Sequence, residues 1–204
     1  MGILTDIEPK NVFRFFEEIA AIPHGSGDTQ ALTEYLVQFA IDHNFDAIAD
    51  EEGNVIIKKY GSEGYEDSDS VILQAHMDMV CVAAPGVSHS FETDPISLLV
   101  DGDYITADGT TLGGDDGIGV AYMLAILDDD TIAHPPLECV FTVDEETGLT
   151  GANALDPSFV DGKRMINLDS EAEGTIIAGC AGSSTITTSV PIGRAVIKGM
   201  PVLI

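Results

Sequence analysis

The chain has 204 residues, 45% of them hydrophobic, enough to bury one core and too few for two large domains. Acidic residues number 35 against 8 basic ones, a formal charge of -27 that repels phosphate backbones and anionic headgroups, so neither nucleic acid nor membrane is an expected partner. No stretch is long and apolar enough to span a bilayer and MGILTDIEPK does not read as a leader, while Cys81, Cys139 and Cys180 lack any C-x-x-C spacing and read as reduced, small buried hydrophobes of a cytoplasmic protein.

Taken in chain order, Pro9 opens an amphipathic helix through Phe13, Phe16 and Ile19. Asp28 is placed to cap a second, in which Leu32, Tyr35, Leu36, Phe39 and Ala40 recur at helical spacing. Strands are expected at 54–59, 71–76, 96–100 and 104–107, separated by turns such as GSEGYEDSDS and by the hairpin signal Asp101-Gly102-Asp103. A third helix runs from about Asp116 through Met123, Leu124 and Ile126 to Leu127. The strand LECVFTV follows, then a turn, a short helix near GANAL, and the strands RMINL and GTIIAGC. This alternation predicts an α/β fold, a mixed sheet with helices on both faces and some antiparallel hairpins. In such sheets the groups that do chemistry sit at strand ends and in the loops just beyond them.

Acidic or histidine clusters occupy several such places: His76-Met77-Asp78, Gly113-Gly114-Asp115-Asp116-Gly117, Asp144-Glu145-Glu146-Thr147-Gly148 and Asn167-Leu168-Asp169-Ser170-Glu171. One cluster alone is most simply a solvated turn or a satisfied strand-end histidine. Their repetition at successive strand ends is the signal, because an α/β sheet brings them together and their like charges then call for a cation. Imidazole with carboxylates suits Zn²⁺, and also Mn²⁺ or Co²⁺, whereas Ca²⁺ takes oxygen ligands alone. His76 and Asp78 face one side of a strand, so Asp78 can accept a hydrogen bond from the ring nitrogen of His76 that is not on the metal. Asp115, in a glycine-rich turn before a helix, can bridge two metals about 3.5–4 Å apart, and Asp169 completes the shell of one. Of the neighbours Glu145 and Glu146, one can bind metal while the other moves protons.

HMDMV, TTLGGDDGIG, TVDEETGLTGA and INLDSEAEG...GCAGS resemble the co-catalytic zinc metallopeptidase family of aminoacylhistidine dipeptidase, peptidase T, carnosinase and carboxypeptidase G. The motifs occur in the family's order over residues 76–182, AIPHGSG is similar to its N-terminal region, and the forms LGGDDGIG and LDSEAEG point to the branch of aminoacylhistidine dipeptidase. The resemblance implies a zinc-exopeptidase-like catalytic domain in which His76 and Asp169 hold one zinc, Asp115 bridges, Glu146 binds the second zinc, Glu145 is the general base and Asp78 orients His76. It also implies a cis peptide between Asp115 and Asp116, and cleavage of dipeptides, of Xaa-His type with broad specificity, by water activated at the metals.

Relatives of this kind are much longer, with an inserted domain that carries dimer contacts and substrate-carboxylate groups, and a returning segment that supplies a histidine to the second zinc. The histidines here are His24, His43, His76, His89 and His134, none in such a C-terminal position, and the end Met200-Pro201-Val202-Leu203-Ile204 is apolar where natural ends tend to be polar. The expectation is therefore a fragment: residues 1–190 as the N-terminal portion of the catalytic domain, 191–204 leading toward an absent inserted domain, an incomplete second metal site, and a homodimer only in a full-length protein. The alternatives are another hydrolase of the family, acting on N-acyl amino acids or longer peptides, and a non-catalytic acidic domain that binds calcium or a protein.

Overall fold

The computed structural model describes residues 2–170, 174–179, 182, 184 and 186–192. The chain forms two units, Met1–Glu171 and Ala172–Ile204. The described residues of the second unit are exposed and lie in neither helix nor strand, so the strand expected at GTIIAGC is not formed over 174–179, and Cys180 lies outside the described residues.

The first unit runs α1 (Lys10–Ala20), α2 (Gln30–Asp42), β1 (Asp46–Ala49), β2 (Val55–Lys59), β3 (Val71–His76), β4 (Leu98–Asp101), β5 (Tyr104–Ala107), α3 (Gly114–Asp128), β6 (Leu137–Thr142), α4 (Thr150–Ala154) and β7 (Arg164–Asn167), with a 3-10 turn at Pro157–Phe159. β4 and β5 form the expected hairpin, closed at Asp101↔Tyr104 with Gly102 at a φ of 60°. The start of the 96–100 strand is shifted: Ile96 lies outside β4, buried, its N–H donating to the Ala20 carbonyl. Thr29, not Asp28, is the N-cap of α2, and it makes no side-chain cap bond.

The main sheet has the order β1-β2-β6-β3-β7. β6 is buried along all of its length and pairs with β2 antiparallel and with β3 parallel, and β3 pairs parallel with β7. Register stacks Ile57, Cys139 and Leu73 in one row and Val55, Phe141 and Ala75 in the next. This face receives α1, α2 and α3 through Phe15, Phe16, Ile19, Leu32, Leu36 and Leu124. The other face, with Ile56, Ile72 and Val140, is covered by Leu155, Phe159 and Val160 from the end of α4 and the 3-10 turn. Helical segments thus flank both faces, unequally.

β1 has no counterpart in the sequence reading, because Asp46–Ala49 is an edge strand with three of its residues exposed and no apolar alternation to reveal it. Cys139 is buried as expected, whereas Cys81 is exposed: it lies beyond the end of β3, in the segment that leaves the sheet.

The direction of α3 follows from Lys59. Its ammonium, almost wholly buried, donates to the carbonyls of Leu127 and Asp129 at 2.9 and 3.2 Å, placing a positive charge on the negative end of the helix. Lys59 pairs with Leu137, the first residue of β6, so α3 ends at the edge where the parallel strands begin. The 15 residues of α3 span about 22 Å, close to the ~20 Å of a six-residue strand. Its N-terminus is thereby delivered to the edge where β3 and β6 end.

Candidate metal centre

Three parallel strands finish at that edge, and each is followed at once by a polar group. β3 ends on His76, opposite Thr142 of β6; β6 runs on into Val143-Asp144-Glu145-Glu146; β7, paired at Asn167↔Gln74, runs on into Leu168-Asp169. α3 adds Asp115 and Asp116 from its first turn. The helix is entered through Gly113 at a φ of 72°, where a side chain would meet Met79 Sδ at 2.9 Å and His24 Nε2 at 3.2 Å, so both conformation and space call for glycine. The peptide between Asp115 and Asp116 is cis, as the family resemblance implied, and both residues depart from helical geometry before the regular helix sets in.

His76 is wholly buried. Its Nδ1 lies 2.9 Å from the main-chain oxygen of Asp78 and 3.3 Å from Asp78 Oδ1. Both partners can only accept, so Nδ1 carries a proton and Nε2 faces Asp115 Oδ1 at 3.0 Å. Asp78 stands beyond the end of β3, not on it, and meets the ring with its main-chain carbonyl as the shorter acceptor and its carboxylate at 3.3 Å. Its carboxylate accepts from the Glu145 N–H at 2.9 Å, from the Glu146 N–H at 3.4 Å and from Ser26 Oγ at 2.7 Å. Asp144, at a φ of 53°, makes the sharp turn that aims the Glu145 and Glu146 amides back at Asp78.

The donor atoms gather in two groups, each lying within 4.8 Å: His76 with Asp115 and Glu146, and His76 with Asp116 and Asp169. His76 is common to both, so Asp115 and Glu146 are gathered in one group and Asp169 in the other. Asp116 is the addition: in the sequence it stands in the glycine-rich turn beside Asp115 with nothing to mark it as a ligand. It is buried, one oxygen accepting from the Gly119 N–H at 3.2 Å and Oδ2 having no hydrogen-bond partner. None of His24, His43, His89 and His134 joins either group; His43 is held by Phe39 and Asp128, His134 by Pro135, His89 by the ring of Phe91, and His24 by Ile22.

The electrostatics are those of a crowded anionic pocket around one imidazole. Burial alone would lower His76, but its bonds to Asp78 and Asp115 and the charges of Asp78 and Asp116 outweigh that and raise it to about 10. Burial pushes Asp78 upward, yet hydrogen bonds from His76, Ser26 and the Glu145 amide bring it down to about 2. Asp116 is raised to about 7 by burial, with Asp169 adding to it against the opposing pull of His76. Glu145 and Glu146 are both raised, by burial first and then by the neighbouring carboxylates, His76 again opposing. A cation fits here: it would satisfy the bare Asp116 oxygen, replace the proton on His76 Nε2 and relieve carboxylate repulsion, and an N/O donor set is one that Zn²⁺, Mn²⁺ or Co²⁺ accepts.

No protein-family model matches the chain. Among curated proteins it is 40% identical over 194 residues to the cytosol non-specific dipeptidase of Escherichia coli, covering 95% of this chain and 40% of that protein. Among solved structures it matches aminoacylhistidine dipeptidase from Vibrio alginolyticus with a TM-score of 0.83 and 43% identity, over 85% of this chain and 35% of the other. A tripeptidase from Staphylococcus aureus matches with a TM-score of 0.67 and 27% identity, over 80% of this chain and 44% of the other. Fold and sequence together are those of a peptidase catalytic domain. Over most of its own length the chain is similar to aminoacylhistidine dipeptidase and to the PepT aminopeptidase of Bacillus cereus, and it spans less than half the length of each of these relatives.

Proposed function

We propose that this chain is the metal-binding part of a zinc dipeptidase acting on dipeptides with a free amino terminus, of Xaa-His type with broad specificity. One observation carries the reading: around His76 two sets of donor atoms, Asp115 with Glu146 and Asp116 with Asp169, each lie within 4.8 Å of one another and of the imidazole, drawn from three parallel strands and one helix start. His76 and Asp169 are read as ligands of one zinc, Glu146 as a ligand of the second, and Asp115 as the bridge. The close approach of Asp115 to both His76 and Glu146 supports this bridging role. Asp78 orients His76 and fixes which ring nitrogen is free to bind metal.

Zinc bound here supplies Lewis acidity that polarises the scissile carbonyl and acidifies the attacking water. Glu145, next to a metal ligand and tied through its amide to Asp78, takes the water's proton and passes it to the leaving amine as the C–N bond breaks. No covalent intermediate is required, which leaves Ser170 and the cysteines without a nucleophilic role. The name of the Escherichia coli relative carries a cytosolic location and dipeptide substrates, and both come to this chain as part of the proposal.

The test has two arms. Elemental analysis after dialysis against zinc should find tightly held transition metal, and hydrolysis should be faster on Xaa-His dipeptides than on tripeptides or N-acyl amino acids. Preference for tripeptides would move the reading toward the Staphylococcus aureus relative. Retention of calcium alone, or of no metal, would remove the peptidase reading.

A further inference from the structure

We propose that Ser26 is a positioning residue of the metal centre, its hydroxyl fixing the Asp78 carboxylate and, through it, the ring of His76. The inference rests on the functional reading above and extends it to a residue outside the ligand and base set.

Asp78 is the hub of the site, with its side chain fully buried. Oδ1 faces His76 Nδ1 and accepts from the Glu145 amide. Oδ2 has two donors, Ser26 Oγ at 2.7 Å and the Glu146 amide at 3.4 Å, so the serine makes the short bond. A carboxylate held at Oδ2 cannot rotate, and Oδ1 then stays aimed at the imidazole. The hydroxyl is itself presented on a clamped backbone: the Ser26 N–H donates to the Met79 carbonyl at 3.2 Å, the Met79 N–H to the His24 carbonyl at 3.1 Å, and the Gly27 N–H to Asp144 Oδ1 at 2.6 Å. The serine therefore joins the segment before α2 to the extension of β3 and to the loop that bears Glu145 and Glu146. Removing the hydroxyl leaves Oδ2 with one long bond, so the carboxylate that faces His76 Nδ1 beside the Asp78 carbonyl keeps only the Glu145 amide as a short donor and is held less firmly.

The experiment compares wild type, Ser26→Ala and Ser26→Thr by zinc affinity from chelator competition, by melting temperature, and by kcat and KM on an Xaa-His dipeptide. Ser26→Ala is expected to bind zinc about 10-fold more weakly, the size of effect seen when an outer hydrogen bond to a ligand is removed. It should lose kcat with KM within about 2-fold, and Ser26→Thr, which keeps the hydroxyl, should restore both. Wild-type zinc affinity in Ser26→Ala, whatever its melting temperature, would overturn the proposal and leave the peptidase reading standing. A wild-type chain without dipeptide turnover whose zinc affinity still falls on Ser26→Ala would do the reverse. If Ser26→Ala does not fold, Ser26→Thr and Ser26→Gly carry the same comparison, and equal zinc affinity in those two overturns the idea.

Discussion

At the residue scale the division of labour among adjacent carboxylates is directly testable. Glu145→Gln keeps the volume and the amide bond to Asp78 while removing the proposed base, so turnover should fall by 10²-fold or more, on the order of what general-base catalysis supplies, with bound metal unchanged. Asp115→Ala removes the group facing both His76 and Glu146, and metal analysis should show loss at both positions. Asp116→Asn separates the two aspartates. It keeps the acceptor for the Gly119 N–H, and if Asp116 holds the start of α3 while Asp169 and His76 bind metal, zinc stoichiometry should survive it. The state of His76 gives a fourth expectation. With Nδ1 on Asp78, Nε2 on Asp115 and a pKa near 10, the metal-free ring is protonated at neutral pH. Zinc on Nε2 must displace that proton, so titration of metal-free protein at pH 8 in weak buffer should release ~1 proton from this ring, fading as the pH passes about 10.

At the scale of elements the loop carrying the glutamates is held at both ends by one side chain. Asn54, fully buried, accepts from the Val143 N–H at 3.0 Å and donates to the Gly151 carbonyl at 3.0 Å. Gly151 has no room for a side chain, since a Cβ would meet Asn54 Oδ1 at 2.4 Å and Val143 O at 2.5 Å. Asn54→Ala leaves two buried backbone groups unpaired and should cost about 1–3 kcal/mol for each, with activity falling as the loop loosens. Gly151→Ala should be comparably damaging, and denaturant melts of the two variants check both. These contacts also mark what local pattern can reveal. The end of β3 at His76 and the strand Tyr104–Ala107 are where apolar runs stop, so sequence alone places them. Ser26 with Asp78, 52 residues apart, and Asn54 with Val143, 89 apart, are polar groups meeting across the fold, and neither leaves a periodicity to read. Asp116 escapes for a different reason: adjacent acids look alike in sequence, and only their burial in the fold shows that Asp116 is enclosed while Asp115 stays at the rim.

At the scale of the whole molecule the net charge of -27 is not spread evenly in its consequences. Part of it is concentrated: Asp78, Asp115, Asp116, Glu145, Glu146 and Asp169 share one edge with the imidazole of His76. Metal-free protein should therefore melt lower than the zinc form. Saturation at 100 times the dissociation constant stabilises by about 2.7 kcal/mol, and scanning calorimetry with and without chelator reads it. Added salt should raise the melting temperature of the metal-free form, since it screens mutual repulsion over ~8–10 Å, and should do so less once zinc is bound.

The parallel registry of β3, β6 and β7 has a consequence for how such a chain can vary in length. Segments at the edge where these strands begin, such as GSEGYEDSDS between β2 and β3, can lengthen without altering what lies at the far end. Past His76, Thr142 and Asn167 that freedom vanishes, because one extra residue there shifts a donor by about 3.3 Å, more than the whole length of a zinc–oxygen bond. Insertions and deletions should thus be borne at one rim of the sheet and purged at the other.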